Sequence, residues 1–262
     1  MPGDLDLQLP ILTYHSIDNS GSVISTSRAS FRDQMQFLSD AGYKAISLQK
    51  MIALFDGEAQ IDPKTVVLTF DDGFHNFLTD AFPIISTHNF SATVFLVTGR
   101  CDMYNDWPGN PPQLPRKKLL NWRDVRELED AGIEFGSHTC THPDLSRSNN
   151  SDMEVEIQNS QSDFMENLGH EAATFAYPYG AFNDQVLAAV RKHFKAACTT
   201  ELGKVRARSD RYSLKRIDAY YLSDPRVFRR ISTGFFDRYM DVRQTLRTVK
   251  AAFHRHRSLK SA

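Results

Sequence analysis

Two short polar segments, each directly after an apolar run, carry side chains that could hold a metal ion. Asp71 and Asp72 follow the run KTVVLTF, and His138 and His142 follow GIEFGS. Carboxylates beside a core are costly unless a cation or hydrogen bonds compensate them. Two imidazoles and one carboxylate bind a divalent ion while leaving positions for water and a substrate. Because adjacent residues point in different directions, one aspartate can bind the metal while the other faces the substrate.

Each segment also has an ordinary explanation. The Asp-Gly pair at 72–73 supplies turn chemistry at the end of a strand. The spacing of His138 and His142 places two histidines on one side of a helical turn, although Pro143 favours a turn over a long helix. The coincidence of both segments at predicted strand ends favours the metal site.

The elements that must position these segments are short apolar strands. Runs rich in β-branched or aromatic residues predict strands at 9–14, 43–47, 65–70, 92–97, 133–137, 173–177, 196–200 and 212–218. Most intervals have helical periodicity, with Ser30 and Asn183 as predicted caps. This alternation predicts an α/β fold, a (β/α) barrel of seven or eight parallel strands. Functional sites of such folds lie at the carboxyl ends of the strands, where the polar segments fall.

Three segments carry a resemblance to a known family. TFDDG, HTCTH and FAYPYG, in this order and spacing, resemble the first three motifs of the polysaccharide deacetylases (carbohydrate esterase family 4, the NodB-homology domain). The resemblance spans residues 9–220. It implies a distorted (β/α) barrel and a hydrolase that uses a divalent metal to remove N-acetyl groups from a saccharide or glycan of the N-acetylglucosamine type. Zn is the expected metal, and Co and Ni are the other candidates.

The resemblance also implies roles for individual residues. Asp72, His138 and His142 resemble the metal ligands, and Asp71 resembles the general base. The backbone N–H of Tyr179 resembles the donor to the oxyanion. The metal would polarise the acetyl carbonyl and acidify a water whose proton Asp71 removes.

The acid that protonates the departing amine is where the sequence departs from the common pattern. No histidine lies between His193 and His254, so the usual late motif is absent. The segment LTYH, which ends at His15, resembles the permuted subfamily in which the first strand supplies the acid. A histidine that merely forms hydrogen bonds at a strand end is the alternative. Asp124 is expected to orient His15.

The third motif also lacks the arginine that is usual in the family. Phe175 and Ala176 occupy its neighbourhood, and Arg216 in the last predicted strand is expected to orient Asp71 in its place. A surface position for Arg216 is the alternative.

Substrate contacts are expected from aromatic residues around these motifs. Residues 99–121 contain four prolines and little periodicity, which is typical of a binding loop or lid, although an ordinary surface excursion fits too. Trp107 in this segment and Trp122 just after it could stack on sugar rings, as could Tyr177 with Pro178 in the third motif. Core packing is the alternative for Tyr177.

The charge of the chain is unevenly distributed. The 262 residues carry 31 Lys and Arg against 32 Asp and Glu. Residues 225–262 hold ten basic and two acidic side chains, a charge of +8, so the remainder carries −9. We therefore predict a catalytic domain at 1–224 and a basic helical extension at 225–262. An apolar stripe on that helix is expected to pack on the acidic barrel, with contact to an anionic membrane surface or to an acidic partner as the alternative. The stripe comprises Phe236, Tyr239, Val242, Leu246, Val249 and Phe253.

Composition excludes several other classes of protein. With 41% hydrophobic and 24% charged residues, the chain is globular, and its neutral balance argues against nucleic acid as a partner. Three widely spaced cysteines and an acidic N-terminus predict a cytoplasmic protein, or an exported one if a leader has been removed. Two other functions remain: a carbohydrate-binding module that keeps the fold without turnover, and a mononuclear iron enzyme with two histidines and one carboxylate.

Overall fold

All eight predicted strands form in the computed structural model, which describes residues 7–57, 60–111 and 113–258, and only the backbone of 251–258. Two further short strands follow the first. In chain order the strands are β1 (Ile11–Tyr14), β2 (Ser16–Ile17), β3 (Ser25–Thr26), β4 (Lys44–Ile46), β5 (Thr65–Phe70), β6 (Thr93–Leu96), β7 (Glu134–Ser137), β8 (Thr174–Ala176), β9 (Ala196–Leu202) and β10 (Leu214–Asp218).

The sheet closes into a barrel. The order β1-β10-β9-β8-β7-β6-β5 is completed by a pairing of β1 with β5, and every pairing in the sheet is parallel. Seven strands therefore form the barrel, and β4 is an extra strand that pairs with the first half of β5. This confirms the predicted (β/α) barrel of seven or eight parallel strands.

Helices cover the outside of the barrel. They are α1 (Arg28–Asp40), α2 (Leu48–Phe55), α3 (Phe82–Thr87), α4 (Trp122–Asp130), α5 (Asn150–Leu168), α6 (Asp184–His193), α7 (Pro225–Phe228) and α8 (Gly234–Ser258). Asn183 caps α6 as predicted, because its side chain accepts from the Val186 amide. The predicted cap of α1 is wrong: the helix begins earlier, and the Ser27 side chain accepts from the Ser30 amide.

Burial on both faces explains why the strands are continuously apolar. Inside the barrel, Ile11, Val67, Phe95 and Cys198 belong to one buried cluster. The outward-facing side chains form a larger cluster with the helices.

The strand register brings the polar segments to one end of the barrel. Tyr14 of β1 pairs with Phe70 of β5, so the residues that follow, His15 and Asp71, are neighbours. Ser137 pairs with Phe175 on the far side of the barrel, which places the second and third motifs side by side.

The long segment 99–121 folds back over this end. Antiparallel bridges join Tyr104 to Lys118 and Phe74 to Leu119. Trp107 is buried in a small cluster with Phe74, Val97 and Leu119. The segment is thus anchored to the strand end that carries the Asp-Asp pair.

The predicted C-terminal helix is confirmed as α8, but only the first part of the predicted apolar stripe packs on the barrel. Phe236 is buried in the main core and Tyr239 packs against it, whereas Val242, Leu246 and Val249 are 47–58% exposed. The side chain of Phe253 lies outside the described residues.

The predicted division of the chain into a catalytic domain (1–224) and a C-terminal extension (225–262) stays a prediction. Phe228 of the extension packs in the main core of the barrel. Within the described part of the chain, no helix has the length and apolar character needed to cross a membrane.

Candidate active site

Asp72, His138 and His142 converge at the mouth of the barrel. One potential ligand atom from each lies within 4.8 Å of the others, and all three residues are buried. Oδ1 of Asp72 is 3.6 Å from Nε2 of His138 and 3.5 Å from Nε2 of His142. The structure thus brings together the three residues predicted to bind a metal.

Unusual backbone conformations aim two of these side chains. Asp72 has a φ of 72° and His142 a φ of 68°, both in the left-handed region that costs a non-glycine residue roughly 1–2 kcal/mol. Gly73 follows at 69°, and a Cβ there would lie 2.8 Å from Cδ2 of Leu96. Such strain concentrates at functional sites, where the surrounding structure compensates for it.

Hydrogen bonding and burial prepare the two imidazoles as ligands. Nδ1 of His138 is 2.7 Å from the carbonyl oxygen of Ala176, to which it donates, so Nε2 presents its lone pair towards Asp72. His142 packs against Trp107, with ring centroids 4.5 Å apart. Burial, with a smaller contribution from His138, holds the pKa of His142 well below its usual value. The neutral imidazole is the form that binds metal.

These donors fit a divalent cation. Two neutral imidazoles and a carboxylate are the ligand set of open catalytic sites for Zn and similar ions. Burial raises the pKa of Asp72, so a bound cation would stabilise its ionised form.

Glu156 in α5 holds the loop between the two histidines, and sequence reasoning missed it. Its Oε2 accepts from the amides of Cys140 at 3.0 Å and Thr141 at 2.8 Å, and its Oε1 accepts from the Thr141 hydroxyl at 2.6 Å. Because its partners are mainly backbone amides from another element, no residue pattern in the sequence marked this role.

Arg216 and Asp71 form the predicted pair. Two nitrogens of the guanidinium donate to the two carboxylate oxygens, each at 2.7 Å, and both residues are buried. Burial alone would raise the pKa of Asp71, but the charge and hydrogen bonds of Arg216 outweigh it and hold that pKa well below its usual range. Asp71 is therefore an ionised carboxylate beside the potential metal ligands.

His15 lies on the other side of Asp71. Its Nε2 is 3.9 Å from Oδ2 of Asp71, and its side chain is 23% exposed. His15 is therefore partly open to solvent beside Asp71, at the end of β1.

The expected support of His15 by Asp124 is wrong. Asp124 instead forms a capping box with Asn121 at the start of α4, and its Oδ2 is 3.7 Å from Nε2 of His75. A carboxylate in the first turn of a helix is engaged by the free backbone amides there.

The turn of the third motif presents Tyr179 to the site. Tyr179 has a φ of 60°, and its half-exposed ring lies 4.8 Å from that of His142. Its neighbours Tyr177 and Pro178 are buried, which corrects the expectation that they contact substrate. The Tyr177 hydroxyl donates to the carbonyl oxygen of Tyr212 and is occupied in the core.

The two tryptophans also differ from the expectation of sugar stacking. Trp107 is 3% exposed and packs on His142, so it supports a potential metal ligand instead of offering a free face. Trp122 packs edge-on against Phe164, with centroids 5.8 Å apart, at the border of the core. Aromatic character alone does not distinguish such packing from ligand binding.

Comparisons with known proteins agree with this geometry. The family model for polysaccharide deacetylase matches residues 58–195, more than half of the chain. The protein YxkH of Bacillus subtilis is 28% identical over 212 residues, which cover 80% of this chain and 71% of the relative. A poly-beta-1,6-N-acetyl-D-glucosamine N-deacetylase of Staphylococcus aureus is 24% identical over 203 residues, covering 74% of this chain and 67% of that one.

Solved structures show the same fold. The Streptococcus pyogenes deacetylase PplD, in complex with acetate, has a TM-score of 0.71 at 28% identity. The match covers 80% of this chain and 92% of the PplD chain. IcaB from Ammonifex degensii has a TM-score of 0.73 at 22% identity, and the match covers 86% of this chain and 95% of the IcaB chain. The chain belongs to the polysaccharide deacetylase family.

Proposed function

We propose that this protein is a metal-dependent hydrolase that removes N-acetyl groups from a saccharide or glycan of the N-acetylglucosamine type. The observation that carries the proposal is the juxtaposition of an ionised base, Asp71, with the buried set Asp72, His138 and His142. The names of the relatives support an acetylated polysaccharide as the substrate class. The reaction consumes one water and converts an acetamide into acetate and a free amine.

Asp72, His138 and His142 would hold the metal. When bound, the ion would polarise the acetyl carbonyl and acidify water enough for deprotonation near neutral pH. Zn is our first choice, and Co and Ni suit the same donors. The chain contributes the orientation of the ligands, through Ala176 for His138 and Glu156 for the loop.

Asp71 would act as the general base. Arg216 occupies both of its oxygens and keeps it ionised, so it is ready to accept a proton from the attacking water. The guanidinium also fixes the plane of the carboxylate, which limits the directions from which the proton can arrive. Arg216 is thus a positioning residue.

Tyr179 and His15 would serve the later part of the reaction. The backbone N–H of Tyr179 would donate to the oxyanion that forms as water adds to the carbonyl. His15 would protonate the amine as the carbon–nitrogen bond breaks. His15 is partly exposed at the mouth, so it can exchange protons with solvent between turnovers.

Acetate release tests the proposal. Oligomers of N-acetylglucosamine with β-1,6 and β-1,4 linkages are incubated with the protein as purified, after treatment with a chelator, and after addition of Zn, Co or Ni. We expect release that stops with the chelator and returns with one of the ions. Binding of the oligomers without acetate release under any metal would instead favour a non-catalytic carbohydrate-binding module.

A further inference from the structure

Helix α8 contacts the active-site end of the barrel although it lies outside the segment matched by the family model. Nη1 of Arg247 donates to the carbonyl oxygen of Thr200 at 2.7 Å, and Nη2 lies 3.4 Å from the Thr200 hydroxyl. Three residues earlier, Oε1 of Gln244 accepts from the amide of Leu202 at 2.9 Å. Two polar side chains of one helical face therefore hold the end of β9.

This end of β9 needs such support. The pairing of β9 with β8 stops at Cys198, and its pairing with β10 shifts register between Cys198 and Leu202. Thr200 thus lies where the regular ladder is interrupted. A backbone carbonyl at such a position is satisfied by a side chain, here that of Arg247.

Thr200 in turn abuts the turn that carries Tyr179. Gly180 has a φ of 69°, and a Cβ on it would lie 2.2 Å from Oγ1 and 2.7 Å from N of Thr200. The Thr200 hydroxyl also donates to the carbonyl oxygen of Tyr179 at 3.4 Å. The turn therefore rests directly on Thr200, and a displacement of one moves the other.

The same strand end is linked to the base. Nε of Arg216 donates to the carbonyl oxygen of Thr199 at 2.9 Å, while its other nitrogens bind Asp71. The segment 199–202 is thus held by Arg216 from inside the barrel and by α8 from outside.

We propose that Arg247 is a positioning residue of the hydrolase, which fixes the Tyr179 N–H by holding Thr200 against Gly180. This inference rests on the proposed function, because it assumes that the Tyr179 N–H meets the oxyanion. Misplacement of a catalytic group by 1 Å can cost on the order of 100-fold in rate, and loss of an oxyanion donor costs roughly 100- to 1,000-fold. Loosening the turn should therefore lower kcat and leave substrate binding and metal content largely unchanged.

The test compares Arg247→Met with Arg243→Met in the full chain. Arg243 lies one helical turn earlier and stacks on Tyr221 and Tyr239, so its replacement controls for general effects on α8. Hydrogen exchange of the peptide that spans 177–182 should accelerate in Arg247→Met and not in Arg243→Met. Arg247→Lys, which retains one donor, should restore part of the protection.

Kinetics on acetylated oligomers form the second arm. We expect kcat of Arg247→Met to fall about tenfold, with KM within about twofold of wild type, an intermediate kcat for Arg247→Lys, and unchanged metal content. Unchanged exchange in Arg247→Met, or accelerated exchange with unchanged kcat, overturns the inference. Absence of acetate release from the wild type contradicts the proposed function instead, and the exchange arm still decides whether Arg247 holds the turn.

Discussion

Asp71 and Asp72 are adjacent and both buried, with exposed fractions of 3% and 6%, yet their surroundings shift their pKa values in opposite directions. Burial raises both, but Arg216 outweighs it for Asp71 and lowers the pKa. For Asp72 burial dominates and the pKa is raised. The protein itself supplies the counter-charge of Asp71, whereas a metal ion would supply that of Asp72. This difference supports the proposed roles of Asp71 as the base and Asp72 as a metal ligand.

Replacement of Arg216 by Met should therefore make the reaction sensitive to acid. Without the guanidinium, burial raises the pKa of Asp71, and a protonated base is inactive. The acid limb of the pH profile of kcat/KM should move to higher pH than in the wild type, so the loss is greatest at low pH. Metal content measured at each pH separates this effect from loss of the ion. An unmoved acid limb would refute the role of Arg216 in holding Asp71 ionised.

Replacement of His15 by Asn should separate proton donation from metal binding. General acid catalysis contributes roughly 100- to 10,000-fold, so kcat should fall within that range. Metal content should stay at the wild-type level, because His15 lies near Asp71 and outside the three potential ligands. The matched variant His138→Asn should lose the ion. If His15→Asn also lost it, His15 would be a ligand or a support of the metal site.

Prediction from the sequence located His15 and Arg216 through the family resemblance, because this chain lacks the family's usual late histidine and the arginine of its third motif. The structure places both residues beside Asp71, and their roles stay predictions. Prediction from the sequence failed for Asp124 and Tyr177, whose side chains are occupied by a helix cap and a core hydrogen bond. Periodicity does not report which local backbone groups compete for a polar side chain.

At the scale of elements, helices on the outside of the barrel stabilise the loops at its mouth. Glu156 of α5 binds the loop of the two histidines, and Arg247 of α8 binds the strand end beneath the third motif. In both cases a charged side chain reaches across from a helix to backbone groups of a neighbouring segment. Polar side chains on the helix surfaces thus position the loops of the site through hydrogen bonds to the backbone.

Replacement of Glu156 by Ala should weaken metal binding. Loss of three hydrogen bonds frees the loop between His138 and His142, and removal of such outer supports typically costs about 10- to 100-fold in metal affinity. Competition with a chromogenic chelator measures this affinity. Glu154→Ala is the control, since Glu154 on the same helix pairs with Lys192 and His193 at the surface. Equal affinity in the two variants would show that the loop does not need Glu156.

The packing of α8 predicts a contrast in stability. Phe236 is fully buried, so Phe236→Ala should lower the free energy of unfolding by about 3–5 kcal/mol. Leu246 is 56% exposed, so Leu246→Ala should change the free energy of unfolding by less than about 0.5 kcal/mol. Denaturant unfolding measures both. A large loss in Leu246→Ala would mean that the exposed row of α8 is covered in solution.

Beyond Tyr239, the predicted orientation of α8 is wrong for a physical reason. Hydrophobic periodicity continues the stripe from Phe236 and Tyr239 along Val242, Leu246 and Val249, which are exposed. The face that contacts β9 instead carries Gln244 and Arg247, whose polar groups bind backbone atoms of the strand end. A helix that satisfies a broken strand ladder turns polar residues inward, and no apolar pattern indicates this.

At the scale of the whole molecule, the barrel explains why the distant motifs meet. Strands buried on both faces produce the continuous apolar runs from which the fold was predicted. Parallel pairing then places every strand end that carries a motif at the same mouth. The strand at 43–47 was predicted, but its position outside the closed barrel, as β4 beside the first half of β5, depends on local register and not on composition. The barrel could therefore be predicted from the apolar runs of its buried strands, whereas the position of β4 could not.

In the proposed mechanism, Asp72 binds the metal while Asp71 acts as the general base. The most direct test measures bound metal and acetate release on the same samples of wild type, Asp71→Asn and Asp72→Asn. We predict one ion per chain and activity in the wild type, one ion without activity in Asp71→Asn, and neither in Asp72→Asn. Loss of the ion in Asp71→Asn with its retention in Asp72→Asn would contradict the account.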